Sequence, residues 1–222
     1  MATIAVLGGT GNEGRALALR FTRAGHDVCI GSRSRERAES AAQDVRRRLG
    51  PAAIPVRADT NDGAAAAADL LCVCLPAAAL ADTLGGLRGH ARGKIVVELV
   101  NPIGRGPAGL DLLVLPAPSA GEWVAALLPD AMVVSAFKTV SAERLADLER
   151  PVDGDVLVCG DAPEAKQRIM DLARQIPNLR PIDCGPLRHA RWVEALTVLL
   201  LEINRAHRAT ASIRIVGLES GK

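Results

Sequence analysis

Aromatic side chains are nearly missing from this chain: two Phe, two Trp and no Tyr among 222 residues. Platforms on which nucleic-acid bases could stack are therefore scarce. The net charge is only +2, so no bulk electrostatic pull towards nucleic acid or a membrane surface is expected. No apolar stretch reaches the roughly 20 residues that span a bilayer. The first predicted strand begins at Thr3, so no secretory leader is expected and the chain reads as cytoplasmic. Metal ligands are also poorly supplied: His26, His90, His189 and His207 are dispersed, and no spacing suggests a metal site. His26, in a helix-to-strand turn, reads as structural. The five cysteines are odd in number, form no Cys-x-x-Cys, and fit reduced, buried thiols. Cys72 and Cys74 are expected on one strand face. Arg46-Arg47-Arg48 reads as a set of cations at a helix C-terminus, favoured by the helix dipole.

What the chain does have is concentrated at its start. Thr3-Ile4-Ala5-Val6-Leu7 is an apolar, partly β-branched run, followed at once by Gly9-Thr10-Gly11-Asn12-Glu13-Gly14. Glycines in this spacing between a strand and a helix have separate physical jobs: a sharp turn, close approach of backbone N–H groups to a pyrophosphate, and tight helix–strand packing. The second predicted strand, over 27–31, ends in Ser32-Arg33. An NAD site has a carboxylate about 20 residues past the glycines, accepting from the ribose 2′-hydroxyl. A hydroxyl and a guanidinium there instead suit a 2′-phosphate through charge-assisted hydrogen bonds. The residues therefore predict NADP(H), with Arg33 the main contact, Ser32 beside it and Arg37 one helical turn on. Arg35 reads as solvated.

Strand and helix signals alternate along the chain and predict an α/β protein with a doubly wound parallel sheet of the Rossmann type. Helices are expected over 14–24, 35–49, 59–68 and 77–87, with further strands over 53–57, 69–75, 94–99 and 132–137. Residues 101–119, rich in Gly and Pro, read as a long functional loop. A strand over 155–159, a helix over 163–176 and a strand over 179–183 follow. Gly185-Pro186 opens a long helix over 187–207, apolar round most of its circumference, which predicts packing on its own protomer and against a second one. The tail over 211–218 has β character and is expected to add an edge strand. Residues 1–140 are expected to be the nucleotide-binding unit. Residues 141–222 are expected to be a small α/β extension carrying the substrate site and, in its final helix, the dimer interface. Ligands in such sheets bind beyond the strand C-termini. That places Thr10, Asn12 and Glu13 with the turn glycines, Leu75-Pro76 and Asn101-Pro102 among the cofactor contacts.

The chain resembles the coenzyme F420-dependent NADP reductases. The likeness runs through Leu7 to Gly14, Gly31-Ser32-Arg33, Arg105-Gly106, Ser119-Ala120-Gly121-Glu122, Val133-Val134-Ser135-Ala136-Phe137 and Val158-Cys159-Gly160-Asp161. It continues in the segments 179–187 and 191–197, and covers nearly the whole chain. The resemblance implies a homodimer and direct hydride transfer between a nicotinamide and a bound deazaflavin. It departs from the family pattern at two strand ends. Lys138 stands where family members carry His, and Glu98-Leu99-Val100-Asn101-Pro102 follow the fifth strand where they tend to carry Ser-Pro-type residues. The resemblance implies that the deazaflavin ring lies between Lys138-Thr139-Val140 and the start of the last helix, faced by Leu187 and Arg191. Lys138 is the candidate catalytic residue, as a cation beside an anionic cofactor. Arg188 and Arg191 lie three apart, suited to the phosphate and glutamate tail of F420. Two other readings use the same fold: an NADPH-dependent reductase of an imine or unsaturated product, and a non-catalytic NADP(H) sensor.

Overall fold

The run TIAVL forms the first strand, β1 (Thr3–Leu7), and its last four residues are sealed from solvent. A run this apolar suits a strand covered on both faces, as a parallel sheet requires. The computed structural model describes residues 1–51, 56–107 and 109–218. In chain order the strand is followed by α1 (Asn12–Arg23), β2 (Asp27–Ser32), α2 (Arg35–Leu49), β3 (Arg57–Thr60), α3 (Asn61–Ala67), β4 (Leu70–Val73), α4 (Leu80–Gly85), α5 (Arg88–Ala91) and β5 (Ile95–Glu98). Then come β6 (Ile103–Gly106), β7 (Gly109–Leu112), α6 (Ala120–Leu127), β8 (Met132–Ser135), α7 (Ala142–Ala146), β9 (Gly154–Gly160), α8 (Pro163–Arg174), β10 (Leu179–Asp183) and α9 (Ala190–His207).

Eight strands make one sheet in the order β10-β9-β8-β5-β4-β1-β2-β3. Alternate strand residues face opposite ways, and two core layers result. Ile4, Val6, Val28, Ile30, Cys72, Val97 and Val134 pack beneath α1, α2 and α8. Ala5, Leu7, Cys29, Leu71, Val73, Val96 and Val133 pack beneath α3, α4 and α6. Cys74 packs on the same side as Cys72. Hydroxyl side chains start several helices, as expected of N-caps: Ser34 accepts from Arg37 N, Thr60 from Gly63 N, Ser119 from Glu122 N and Ser141 from Arg144 N. His26 is buried, accepts from Ala2 N at 3.2 Å and meets Gln175 Oε1 at 2.8 Å. Buried Arg20 donates to the carbonyl of Leu145 at 2.8 Å and also to those of Arg144 and Arg150, tying α1 to the segment around α7.

Four expectations are corrected. The sheet is not wholly parallel, because β8 and β9 run antiparallel with Val134 opposite Gly160. The link between them, 136–153, carries the short helix α7, of 5 residues. After it the chain turns back, and β9-α8-β10 forms a reversed parallel pair at the sheet edge. The helix expected over 59–68 starts only at Asn61, because Arg57–Thr60 form the third strand, paired with β2; the strand expected over 53–57 falls largely on residues 52–55, which lie outside the described residues. The segment read as a loop contains an antiparallel ribbon, β6 with β7, pairing Ile103 with Leu112. The tail adds no strand. It crosses the start of β9, where Ile213 O accepts from Asp155 N at 2.8 Å and Ile215 N donates to Asp155 Oδ2 at 2.6 Å. β8 pairs only with Cys159 and Gly160 of β9, so the tail meets the open side at the start of β9, through one backbone bond and the Asp155 carboxylate.

Candidate active site

The glycine turn leaves β1 at Gly8, whose φ of +70° is a conformation that glycine adopts without strain. A Cβ at Gly9 would lie 2.7 Å from Val6 O, and one at Gly14 only 2.5 Å from the Cα of Gly9. These two glycines are required by the protein's own packing. Gly11 is different: a Cβ there would meet only Gly8 O, at 4.0 Å. Gly11 is also the N-cap of α1 and supplies no side chain to its first N–H groups. The turn therefore keeps an open space under the positive end of a 12-residue helix, which fits a pyrophosphate. Asn61 buttresses the turn, its Oδ1 accepting from Gly8 N at 3.1 Å.

A cavity of about 430 Å³ lies on one side of this turn, lined by Thr10, Gly11, Ser32, Arg33, Arg37, Leu75 and Pro76, together with Asn61, Ala79 and Thr83. The carboxylate expected of an NAD site is not among its lining residues. Asp59, on the neighbouring strand, is engaged by Arg35 at 2.5 Å. That pair takes Arg35 away from the cavity and leaves Arg33 and Arg37 beside Ser32.

On the other side lies a second cavity of about 230 Å³, lined by Glu13, Asn101, Lys138, Thr139, Val140, Ser141, Thr197, Leu200, Leu201 and Asn204, with Ala142 and Ala211. Its floor is a buried ionic cluster. The Lys138 ammonium sits 2.8 Å from Glu98 Oε1 and 3.1 Å from Glu194 Oε1, and the side chains of Lys138 and Glu98 are 0% exposed. The same ammonium donates to the Val100 carbonyl. Val100 N donates to Glu98 Oε1 at 2.6 Å, and Ala120 N to Glu194 Oε1 at 3.0 Å. Burial raises the Glu194 carboxyl above its ordinary range, and Lys138 offsets part of that rise. The Lys138 carbonyl accepts from Asn101 Nδ2 at 2.9 Å and Thr197 Oγ1 at 3.4 Å. Phe137, just before it, holds a φ of +62° while fully buried. A non-glycine residue held in this region needs surrounding contacts to keep it there. The cluster supplies them, and the Lys138–Ser141 loop is set by the ends of β5 and β8 and by α9.

Lys138 is thus not a free cation facing a ligand. Its head group is locked into the protein, and its backbone end borders the cavity. Leu187 and Arg191 are not brought to either cavity. Leu187 packs in the core against α6, and the preceding turn is tied down by Leu187 N donating to Asp161 Oδ1 at 3.0 Å. Arg191 lies on the outer face of α9, stacked 4.6 Å over Trp192; Arg188 is also exposed. Pro102 is buried, and Asn12 accepts from Arg15 at 3.4 Å on the outside of the turn. The sequence reading missed Asn61, Thr83, Thr197, Asn204 and Glu194, and it marked Glu98 only as a departure, not as the partner of Lys138. The signal for the two carboxylates was a lone Glu inside an apolar strand and another on the apolar stripe of a helix, matched by a lone lysine in Ala136-Phe137-Lys138. A larger cleft, about 880 Å³, lies between Arg23, Arg48 and Glu149 at the other ends of α1 and α2, away from the glycine turn.

The family model described as "NADP oxidoreductase coenzyme F420-dependent" matches residues 3–102. The chain is 40% identical to the F420-dependent NADP reductase of Methanocaldococcus jannaschii, over 97% of this chain and 99% of the relative. It is 39% identical to the enzyme of that name from Methanothermobacter thermautotrophicus, over 97% and 95%. A crystal structure of a putative F420-dependent NADP reductase from Arthrobacter sp. FB24 superposes with a TM-score of 0.83 at 26% identity, covering 98% of this chain and 100% of that one. With one cavity suited to a 2′-phosphate, a glycine cradle and a second cavity beyond it, this chain belongs to the F420-dependent NADP reductase family.

Proposed function

We propose that the protein transfers hydride directly between NADP(H) and coenzyme F420. The observation that carries this reading is the pair of cavities divided by the glycine turn in a chain so similar to the named reductases. In this reading Ser32, Arg33 and Arg37 hold the 2′-phosphate, and the free N–H groups at the start of α1, next to Gly11, hold the pyrophosphate. Leu75 and Pro76 flank the nucleotide, and Asn101, Thr139 and Val140 border the ring. Residues 1–140 serve as the nucleotide unit and 141–222 complete the site. The nicotinamide and the deazaflavin supply the hydride donor and acceptor. No covalent nucleophile is needed, and the protein's task is to hold two rings in reach and exclude water. Identity of 40% to a named reductase over nearly the whole of both chains favours turnover over nucleotide sensing.

In this reading Lys138 acts through the loop it anchors rather than by touching an anionic substrate. Trp192, Leu199, Leu201 and Ile203 lie exposed along α9, and this face forms a homodimer. The five cysteines are free thiols, which agrees with a cytoplasmic, reducing compartment. No described helix is long and apolar enough to cross a membrane. Mixing the purified protein with NADPH and oxidised F420, and following deazaflavin absorbance, tests the function. Deuterium should pass from the nicotinamide to the deazaflavin without washout. Retained NADPH binding with no F420 reduction would sink the reading in favour of a different small-molecule acceptor.

A further inference from the structure

Two sealed oxygens bordering the second cavity have no partner among the described residues: Glu13 Oε1 and Asn101 Oδ1. The Asn101 amide is oriented by its neighbour, because Nδ2 donates to the Lys138 carbonyl at 2.9 Å. Turning the amide over would set two oxygens against each other. Its other end is therefore a bare acceptor. A buried acceptor without a donor is costly and calls for an explanation. A ligand group carrying N–H provides one.

Glu13 faces no free cation. Lys138 is held between Glu98 and Glu194, and Arg15, on the same helix, reaches Asn12. From β4 the neighbouring group is Cys74, whose thiol is held well above its ordinary range by burial and, to a smaller degree, by nearby Cys72, Glu13 and Glu98. The lining residues of α9 and the tail, Thr197, Leu200, Leu201, Asn204 and Ala211, carry no charge. Burial alone pushes the Glu13 carboxyl up to about 8. At neutral pH it is a carboxylic acid, with one donor and one acceptor. A primary carboxamide is its complement, offering one C=O and two N–H.

We propose that Glu13 and Asn101 together read the primary carboxamide of the nicotinamide ring and select an amide over a carboxylate at that end of the dinucleotide. The inference rests on the reading of the two cavities as one NADP(H) site. Gly11 lines the first cavity and Glu13, two residues on, lines the second. A dinucleotide anchored at Ser32 and Arg33 that crosses the turn ends beside Glu13. The second cavity, about 230 Å³, is below the ~300–1,000 Å³ of pockets for drug-sized ligands, and suits one ring of a larger molecule. A deazaflavin imide offers similar N–H and C=O groups, but the place next to the pyrophosphate cradle favours the nicotinamide.

The test is equilibrium binding of NADPH, of 2′,5′-ADP, which lacks the nicotinamide, and of NADP⁺ against its nicotinic acid analogue. Glu13→Leu keeps a good helix former and removes the carboxyl. It should weaken NADPH about tenfold, ~1.4 kcal/mol, leave 2′,5′-ADP unchanged, and erase the preference for NADP⁺ over the nicotinic acid analogue. Wild-type affinity for NADPH should fall above about pH 8, and that of Glu13→Gln should not. Equal loss of NADPH and 2′,5′-ADP, or no loss of either, overturns the proposal. A rise in the KM for F420 with NADPH affinity unchanged assigns the acceptors to the deazaflavin imide and also overturns it. Failure of the wild type to bind 2′,5′-ADP at all overturns the nucleotide reading beneath it.

Discussion

Lys138 Nζ lies 2.8 Å from Glu98 Oε1, and neither side chain has any exposure. Glu98 opens, and Lys138 occupies, the two strand-end segments that set this chain apart from the family pattern in the sequence reading. The structure joins them: the buried ammonium just after β8 is paired with a carboxylate at the end of β5. Glu194, from α9, completes the cluster. Removing one partner of a buried pair strands the other charge, at a cost of ~3–5 kcal/mol. Lys138→Met should therefore lower the thermal midpoint by roughly 6–20 °C, taking ~2–4 °C per kcal/mol for a chain of this size. Lys138→Met with Glu98→Leu should recover part of that loss. Thermal unfolding of the two variants and the wild type measures it, and a single mutant as stable as the wild type would show that the cluster contributes nothing.

Glu13 predicts a pH dependence of the nucleotide-free protein. Its carboxyl titrates near 4.5 when unperturbed but is pushed up to about 8 in the fold. Between those values the folded state binds more protons than the unfolded chain, so this group's contribution to stability falls as pH rises. Glu13→Gln should remove that slope. The variant should gain on the wild type from about pH 4.5 to about pH 8, with a constant gap below that window. Urea unfolding at several pH values reads the difference directly. Parallel curves for the two proteins would mean that the carboxyl is not buried as described.

Arg33 should carry nucleotide preference. A charge-assisted contact contributes about 1.5–3 kcal/mol. Arg33→Ala should weaken NADPH about tenfold to a hundredfold, with little change for NADH. The comparison of the two dissociation constants decides it, since equal losses would remove the 2′-phosphate from this position.

Two glycines of the same turn should fail in different ways. At Gly11 the space for a Cβ is open within the protein, the nearest atom being 4.0 Å away. Gly11→Ala should keep the thermal midpoint and lose binding of both NADPH and NADH. At Gly14 a Cβ would sit 2.5 Å from backbone, so Gly14→Ala should lower the midpoint itself. Normal nucleotide binding by Gly11→Ala would move the pyrophosphate elsewhere.

The exposed apolar face of α9, proposed as the dimer surface, is narrower than the helix's apolarity suggests. Leu200 is buried within its own protomer at 8% exposure, whereas Leu199 is 55% exposed. Leu199→Glu should yield a folded monomer by light scattering, and Leu200→Glu should unfold or aggregate the chain. A wild-type monomer at micromolar concentration would refute the interface.

Much of this molecule follows from short-range rules that the sequence carries openly. The TIAVL run, the three turn glycines and the Ser32-Arg33 pair are local patterns. Their meaning depends on sterics and charge within a few residues, so the strand–turn–helix start, the doubly wound sheet and the grouping of Ser32 and Arg33 beside the glycine turn were all legible. The tight packing at Gly14 was legible too, because a helix cannot approach a strand closely there with a Cβ in the way. What the sequence did not show is set by partners far apart in the chain. The reversal of β9 is fixed by its pairing with β8, across a link with no strong directional signal of its own. The withdrawal of Leu187 and Arg191 from the cavities depends on which face of the last turns meets α6. The fate of Lys138 depends on Glu98, forty residues before it, and on Glu194 in the last helix. Whether a charge faces a ligand or is sealed in a core is decided by what packs over it, and only the tertiary structure brings those groups together.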